Sequence, residues 1–251
     1  MYSVLTLEQA CADAWPPLVG DKIGDWRLRA AAGFTGRANS ALAVGDPGMP
    51  VARALEIVCD FAHSNGIPPM AHAIRGGAVE DALTAAGWTP HATHPRGFEV
   101  SVLTAPVDGA TAPEVRVLDA PTPDWWRLAA GSPEPTAAQR HVLTGAPLVG
   151  YGVAEAGGET AGTVRAAVVD DLLHISVLAV DPAFRRRGLA KALLRAGGAW
   201  GAERGARTCV LQVATHNDPA LGLYRALGFT EHHRYRYWVP AVGAACEDPT
   251  S

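Results

Sequence analysis

Lysine is almost missing from this chain. Lys22 and Lys191 are the only two in 251 residues, so nearly all positive charge is arginine. With a net charge of -4 there is no cationic surplus for a phosphate backbone, which argues against a general nucleic-acid binder. Cysteine is scarce and scattered: Cys11, Cys59, Cys209 and Cys246 form no C-x-x-C pair, so a metal site or redox motif is not expected. Cys59 and Cys209 sit among apolar residues and read as small core hydrophobes. No apolar run approaches the roughly 20 residues of a membrane span. The first residues lack the basic stretch and apolar core of a signal peptide. These absences predict a globular protein with no membrane or nucleic-acid partner, by default in the cytoplasm. A hydrophobic content of 48% and a mean hydropathy of +0.06 supply an ordinary core, in one large domain or two small ones.

What is present is concentrated in one stretch, Ser176 to Leu194. Ser176-Val-Leu-Ala-Val180 reads as a buried strand, and Asp181-Pro182 stops it, because proline lacks an N–H and restrains its predecessor. Leu189, Ala192, Leu193 and Ala196 then recur at helical spacing, which starts a helix near Arg187. Between strand and helix lie Arg185, Arg186, Arg187 and Gly188. A helix N-terminus exposes unpaired N–H groups and about half a positive charge, which suits a phosphate. Gly188 lets an anion approach the backbone, and the arginines add charge. The physical reading is a pyrophosphate cradle.

Val180-x-Pro182-x-x-Arg185-Arg-Arg-Gly188-x-Ala190 resembles the acetyl-CoA loop of the GCN5-related N-acetyltransferases (GNAT), usually Arg/Gln-x-x-Gly-x-Gly/Ala. Leu211-x-Val213, Asn217, Ala220 and Leu223-Tyr224-x-x-Leu227-Gly228-Phe229 resemble the second half of the same family, in the expected order. Arg186 departs from the pattern, since many members carry glycine there. The resemblance implies an acetyl-CoA-dependent N-acetyltransferase with no metal, acting on a small-molecule primary amine as a monomer or homodimer. It implies that Leu178, Ala179 and Val180 hold the thioester and pantetheine arm through their backbone. Arg185, Arg186, Arg187, Gly188, Leu189 and Ala190 would hold the pyrophosphate, and Asn217 would touch the arm. It also implies that Tyr224 protonates the departing thiolate, against the plainer reading of a packing residue. Asn217-Asp-Pro219 is equally an ordinary helix-start signal.

An amine of pKa about 10 is mostly protonated near neutral pH, so a base or water relay is needed. Asp171 and His174, at the start of the central strand, and Glu155, at the end of the preceding hairpin, are all candidates. A strand histidine is as often structural, and Asp170-Asp171 is an ordinary turn. His232-His-Arg-Tyr-Arg-Tyr-Trp238 alternates, so one face should line an acceptor cleft and the other cover the core. Gly33-Phe-Thr-Gly-Arg-Ala-Asn-Ser40 and Gly45-Asp-Pro-Gly48, with the His232-His-Arg-Tyr235 run, resemble actinobacterial acetyltransferases, some of them assigned as N-acetylglutamate synthases; that resemblance implies an acidic acceptor such as glutamate, held by Arg37, Arg234 or Arg236.

The rest of the chain reads as alternating strands and helices. Pro106 to Pro113 is small, polar and proline-bounded, a linker by composition. Asp124 is a candidate cap for a helix opening at Trp125-Trp126. The two halves share a pattern: Ser40 to Pro47 resembles Ser176 to Pro182, and Asp81 to Trp88 resembles Gly222 to Phe229. Asp46 precedes Leu55 by nine positions, whereas Asp181 precedes Leu193 by twelve, and Pro50 sits in the shortened gap. The expected fold class is therefore α/β (α+β), two tandem GNAT-like folds, each a mixed, mostly antiparallel sheet flanked by helices. The expected domains are a degenerate half without a cofactor loop (1–105), a linker (106–113), the acetyltransferase half (114–239) and a flexible tail (240–251). The competing function is a catalytically weak acyl-CoA-binding or regulatory module, or a protein N-terminal or lysine acetyltransferase.

Overall fold

A computed structural model describes residues 2–241 and residue 246. In chain order the elements are α1 (Val4–Asp13), β1 (Val19–Ile23), β2 (Trp26–Ala30), β3 (Ala41–Ala43), α2 (Val51–Ser64), β4 (Ala71–Ile74), α3 (Ala78–Ala85), β5 (Trp88–Pro90) and β6 (Glu99–Pro106). Then come β7 (Val115–Leu118), α4 (Pro123–Ala130), α5 (Ala137–Thr144), β8 (Val149–Ala156), β9 (Glu159–Val169) and β10 (Leu172–Val180). A 3₁₀ turn (Pro182–Phe184), α6 (Leu189–Ala202), β11 (Thr208–Ala214), α7 (Asp218–Ala226) and β12 (Thr230–Pro240) complete the chain.

The chain divides into two compact units that are not consecutive in sequence. One holds residues 1–102, 213–221 and 231–251, and the other holds 103–212 and 222–230. Hydrogen bonding gives the reason. β12 pairs antiparallel with β4, Tyr235 opposite Ile74 and Trp238 opposite Ala71, and also with β5. The end of the chain thus supplies a strand to the unit that its beginning starts.

In the second unit β7, β8, β9 and β10 form an antiparallel series, and β11 joins β10 in parallel. The β8–β9 hairpin turns through Gly157 and Gly158, both at positive φ, as a tight hairpin requires. α6 covers β8, β9 and β10 closely, because Gly197 and Gly201 face Ile175 and Leu173. A Cβ there would lie 3.1 Å and 2.9 Å from those side chains. Leu193 on the same helix is fully buried, and its truncation to alanine would cost about 2–5 kcal/mol. α4 packs on β9 and β10, with Trp125 fully buried and its Nε1–H donated to the Val164 carbonyl at 3.3 Å. Its cap is Thr122, whose Oγ1 accepts the Trp125 N–H, with Pro123 opening the helix; Asp124 is not the cap.

The first unit runs β1-β2-β3-β4-β12. β1 to β3 are antiparallel, and β3 and β4 are parallel across the α2 crossover. Its core gathers Trp26, Leu28, Ala43, Leu55, Val58, Leu83, Trp88 and Trp238. Each unit is therefore a mixed, mostly antiparallel sheet flanked by helices.

One expectation is corrected here. Cys59 is not simply a core hydrophobe: it forms a disulfide with Cys246, with Cα atoms 5.6 Å apart. Disulfides persist in oxidising settings, so cysteine spacing no longer argues for the cytoplasm. The expected flexible tail falls mostly outside the described residues, at 242–245 and 247–251. Within it, however, Pro240 ends β12 and the Ala241 N–H donates to the Gly87 carbonyl at 2.9 Å. Among the described residues no helix is long and apolar enough to cross a membrane.

Candidate active site

β10 is irregular where its sequence gives no warning. Ser176 lies opposite Arg165 and Ala179 opposite Thr163, so three steps on β10 match two on β9. The extra residue makes a bulge, with Val177 at φ +52. A β-branched side chain in the left-handed region costs on the order of 1–3 kcal/mol, and such strain gathers at functional sites. On the opposite edge the parallel ladder to β11 ends at Ile175–Leu211. From Ser176 to Val180 the β11-facing edge of β10 makes no ladder pair with β11. Leu178, Ala179 and Val180 are half-buried along this stretch.

The strand leads into the loop. Asp181 Oδ1 accepts the Ala183 N–H at 3.0 Å and sets the 3₁₀ turn, and Arg185 Nε donates to the Val180 carbonyl at 3.3 Å. Arg185, Arg186 and Arg187 are exposed, and the Arg187 guanidinium lies 5.6 Å from the Phe184 ring centre. Arg186 takes φ +63, which explains why glycine suits this position. Gly188 is the N-cap of α6 at φ +80, and a Cβ built on it would meet nothing within 4 Å. Leu189 and Ala190 open the helix with their N–H groups unpaired within it. This is an open, exposed N-terminus of a 14-residue helix, beside three cations.

Tyr224 lies in α7 and is 8% exposed, with Phe229 edge-on at 5.8 Å. Its carbonyl accepts the Leu227 and Phe229 N–H groups, and Gly228 at φ +84 makes that helix end possible. Burial, helped by Cys209, pushes its phenol up to about 12, so it keeps its proton across the working pH range. Asn217 stands just before α7, and its Oδ1 accepts the Ala220 N–H at 3.3 Å, the helix-start role.

The three base candidates are not brought together. Asp171 is exposed at the opening of β10, where its carbonyl accepts the Arg207 and Thr208 N–H groups. Along an extended strand it is roughly 20 Å from Val177. His174 is fully buried within β10, away from solvent. Glu155 lies at the correct end of the sheet: Ala154 pairs with Gly162, which pairs with Val180. Its carboxylate is half-exposed and ion-paired with Arg116.

The arginines invoked for an acidic acceptor are already engaged. Arg234 Nε reaches both Glu231 oxygens at 2.9 Å, Arg236 Nε reaches Glu99 at 2.7 Å, and Arg37 lies over Trp15. The face of β12 expected to cover core does so: Tyr235 and Tyr237 are buried. Sequence reasoning missed the Val177 bulge, and no residue type signals it.

A bulged central strand that leaves its ladder with a parallel neighbour and feeds a glycine-capped helix defines the class as a GCN5-related acetyltransferase. A structure of a GCN5-related N-acetyltransferase from Kribbella flavida matches 95% of each chain with a TM-score of 0.70 at 16% identity. A tandem GNAT protein from the clavulanic acid biosynthesis pathway matches 93% of this chain and 86% of that one, with a TM-score of 0.60 at 16% identity. In sequence, the uncharacterized N-acetyltransferase YobR of Bacillus subtilis is 27% identical over 249 residues, spanning 93% of this chain and 98% of YobR. Residues 3–238 match the family described as "Probable histone acetyltransferase Rv0428c C-terminal", and the chain belongs to that family. It is an N-acetyltransferase.

Proposed function

We propose that the protein moves an acetyl group from acetyl-CoA to the primary amine of a small molecule by direct attack, using one donor site per chain. The observation that carries this reading is that β10 bulges, leaves its ladder with β11 after Ile175 and runs into the open, glycine-capped start of α6 at Gly188. Backbone groups of Leu178, Ala179 and Val180 bind the thioester carbonyl and the pantetheine arm. N–H groups from Arg187 to Ala190, with the arginine side chains, bind the pyrophosphate. Asn217 adds a side-chain contact to the arm. The amine displaces the thiolate, and Tyr224 donates its proton to the departing sulfur. Glu155 is the favoured base, acting directly or through one water, because it alone of the three candidates is solvent-accessible at this end of the sheet.

The first half is a degenerate copy of the same fold. Its β3–α2–β4 crossover repeats β10–α6–β11, yet α2 follows Pro50 with no side-chain cap and no arginine loop. Proline deletes one donor outright. Residues 1–105 and 114–239 are thus two tandem copies, of which only the second holds a donor. The test is titration of the whole chain with acetyl-CoA, together with thiol release against a panel of amino acids, polyamines and aminoglycosides. The expected result is a stoichiometry near one and turnover with at least one small amine. A stoichiometry of two would overturn the one-site reading. Saturable binding with turnover only on peptide amines would transfer the activity to proteins.

A further inference from the structure

Arg29 on β2 is 4% exposed, a guanidinium taken almost wholly out of water. Its Nε donates to the Ser40 carbonyl and its Nη2 to the Ser40 hydroxyl, each at 3.0 Å. Among the described residues no carboxylate oxygen lies within 4.0 Å of it. Glu8 shares the same interior, but its two oxygens face His233 at 2.8 Å and His72 at 3.4 Å. A buried charge with no counter-ion in contact is costly, and proteins keep such a group where something completes it. Desolvation lowers the Arg29 pKa to about 10, which agrees with that cost.

Arg29 also lines a cavity of about 410 Å³, within the range of small-molecule sites. The β1–β2 register explains its charge. Lys22 stands opposite Arg27 and Gly20 opposite Arg29, so alternation puts these positions on one face. Gly20 contributes no side chain, which leaves the space before Arg29 open. The lining thus brings together Lys22, Arg27 and Arg29, beside Ala12 and Pro17. Two acids temper the charge. Asp13 grips Arg27 at 2.5 Å, and Asp21, also on the lining, accepts the Lys22 N–H at 2.8 Å. One of the two lysines in the whole chain is spent here.

We propose that this face of the first unit binds a small organic anion, its carboxylate or phosphate oxygens meeting Arg29, Arg27 and Lys22 and its short apolar part resting on Pro17 and Ala12. The site is independent of the donor site on the second unit. The probes are inorganic phosphate and glutarate, titrated into the full chain by calorimetry and by thermal melting at fixed ionic strength. Saturable binding of one or both is expected, with the melting temperature rising about 5–10 °C at a hundredfold excess over Kd. The better probe identifies the oxyanion. Lys22→Ala, at an exposed position, and Arg27→Ala, at a half-buried one, should each weaken binding at least tenfold. Arg29→Met should abolish it while the chain still folds, since an apolar side chain replaces a buried cation. If Arg29→Met does not fold, the other two variants decide. Gly188→Glu, which blocks the loop on α6, should leave the response unchanged. No saturable binding of either probe overturns the proposal. So does binding that survives Lys22→Ala and Arg27→Ala within twofold, or that vanishes with Gly188→Glu.

Discussion

Gly188 offers the sharpest test of where the donor binds, because two effects of substitution can be separated there. The residue sits at φ +80, where any side chain costs about 1–2 kcal/mol of backbone strain. A Cβ has open space around it, so no packing penalty is added. Gly188→Ala therefore measures strain alone, a melting temperature lower by about 2–8 °C. Gly188→Glu carries the same strain plus a carboxylate aimed where a pyrophosphate would lie. At about 4 Å and an effective dielectric near 20, one added like charge opposes binding by about 4 kcal/mol, on the order of a thousandfold in Kd. Calorimetry with acetyl-CoA should show the alanine variant binding close to wild type and the glutamate variant at or beyond detection. Melting curves without ligand should match between the two. If both variants bind within fivefold of each other, the pyrophosphate is not at the α6 N-terminus.

Tyr224→Phe should cut turnover about 10- to 1000-fold with acetyl-CoA affinity nearly unchanged, as for a lost general acid, and unchanged turnover would remove Tyr224 from the mechanism. Because burial raises that phenol to about 12, the wild-type rate should show no alkaline fall from Tyr224 between pH 7 and 10. His72 gives a pH effect of definite sign: burial, against the pull of Glu8, lowers it to about 3. Its neutral form is the one that the fold holds. Stability is thus complete above the unfolded value near 6.5 and is lost as pH falls toward 3, by about 1.4 kcal/mol per unit. At pH 5 the loss should be about 2 kcal/mol, and urea melts that coincide at pH 7 and pH 5 would refute it. The Cys59–Cys246 bridge should leave two reactive thiols in the unreduced, denatured chain, and four would deny it. Cys246→Ser should cost about 2–4 kcal/mol.

The cradle was legible because all of it is local. Arginines, a small residue and a helical apolar spacing fall within one run of sequence, and their physics needs no distant partner. The β8–β9 hairpin was legible for the same reason, through Gly157-Gly158. β1 escaped notice since four of its five residues face water and show no period. β5 is three residues long and exists only because β12 pairs with it. The neutralisation of Arg234 and Arg236 depends on Glu99, more than 130 positions earlier. The Cys59–Cys246 bond spans a separation of 187. Thr122 displaced Asp124 as cap because Pro123 fixes the first helical residue one position earlier than the tryptophans suggest. What sequence reading missed is a pairing across long separation, a backbone strain that side-chain chemistry does not announce, or, at β1 and Thr122, a local element without an apolar period to mark it.

The pairing of β12 with β4 and β5 sets an order of events during synthesis. β4 and β5 are translated by residue 90, yet the strand that covers them ends at residue 240. At about 5–20 residues per second, the ribosome needs roughly 8–30 s to make the intervening 150 residues. Throughout that interval β4 carries an unsatisfied strand edge, the feature most prone to pair with a neighbouring chain. The acetyltransferase unit, whose residues 103–212 are made in one pass, needs only a short later segment to finish. The half made first is therefore the half completed last, and a nascent chain stalled before Thr230 would present its open edge to every neighbour on the polysome.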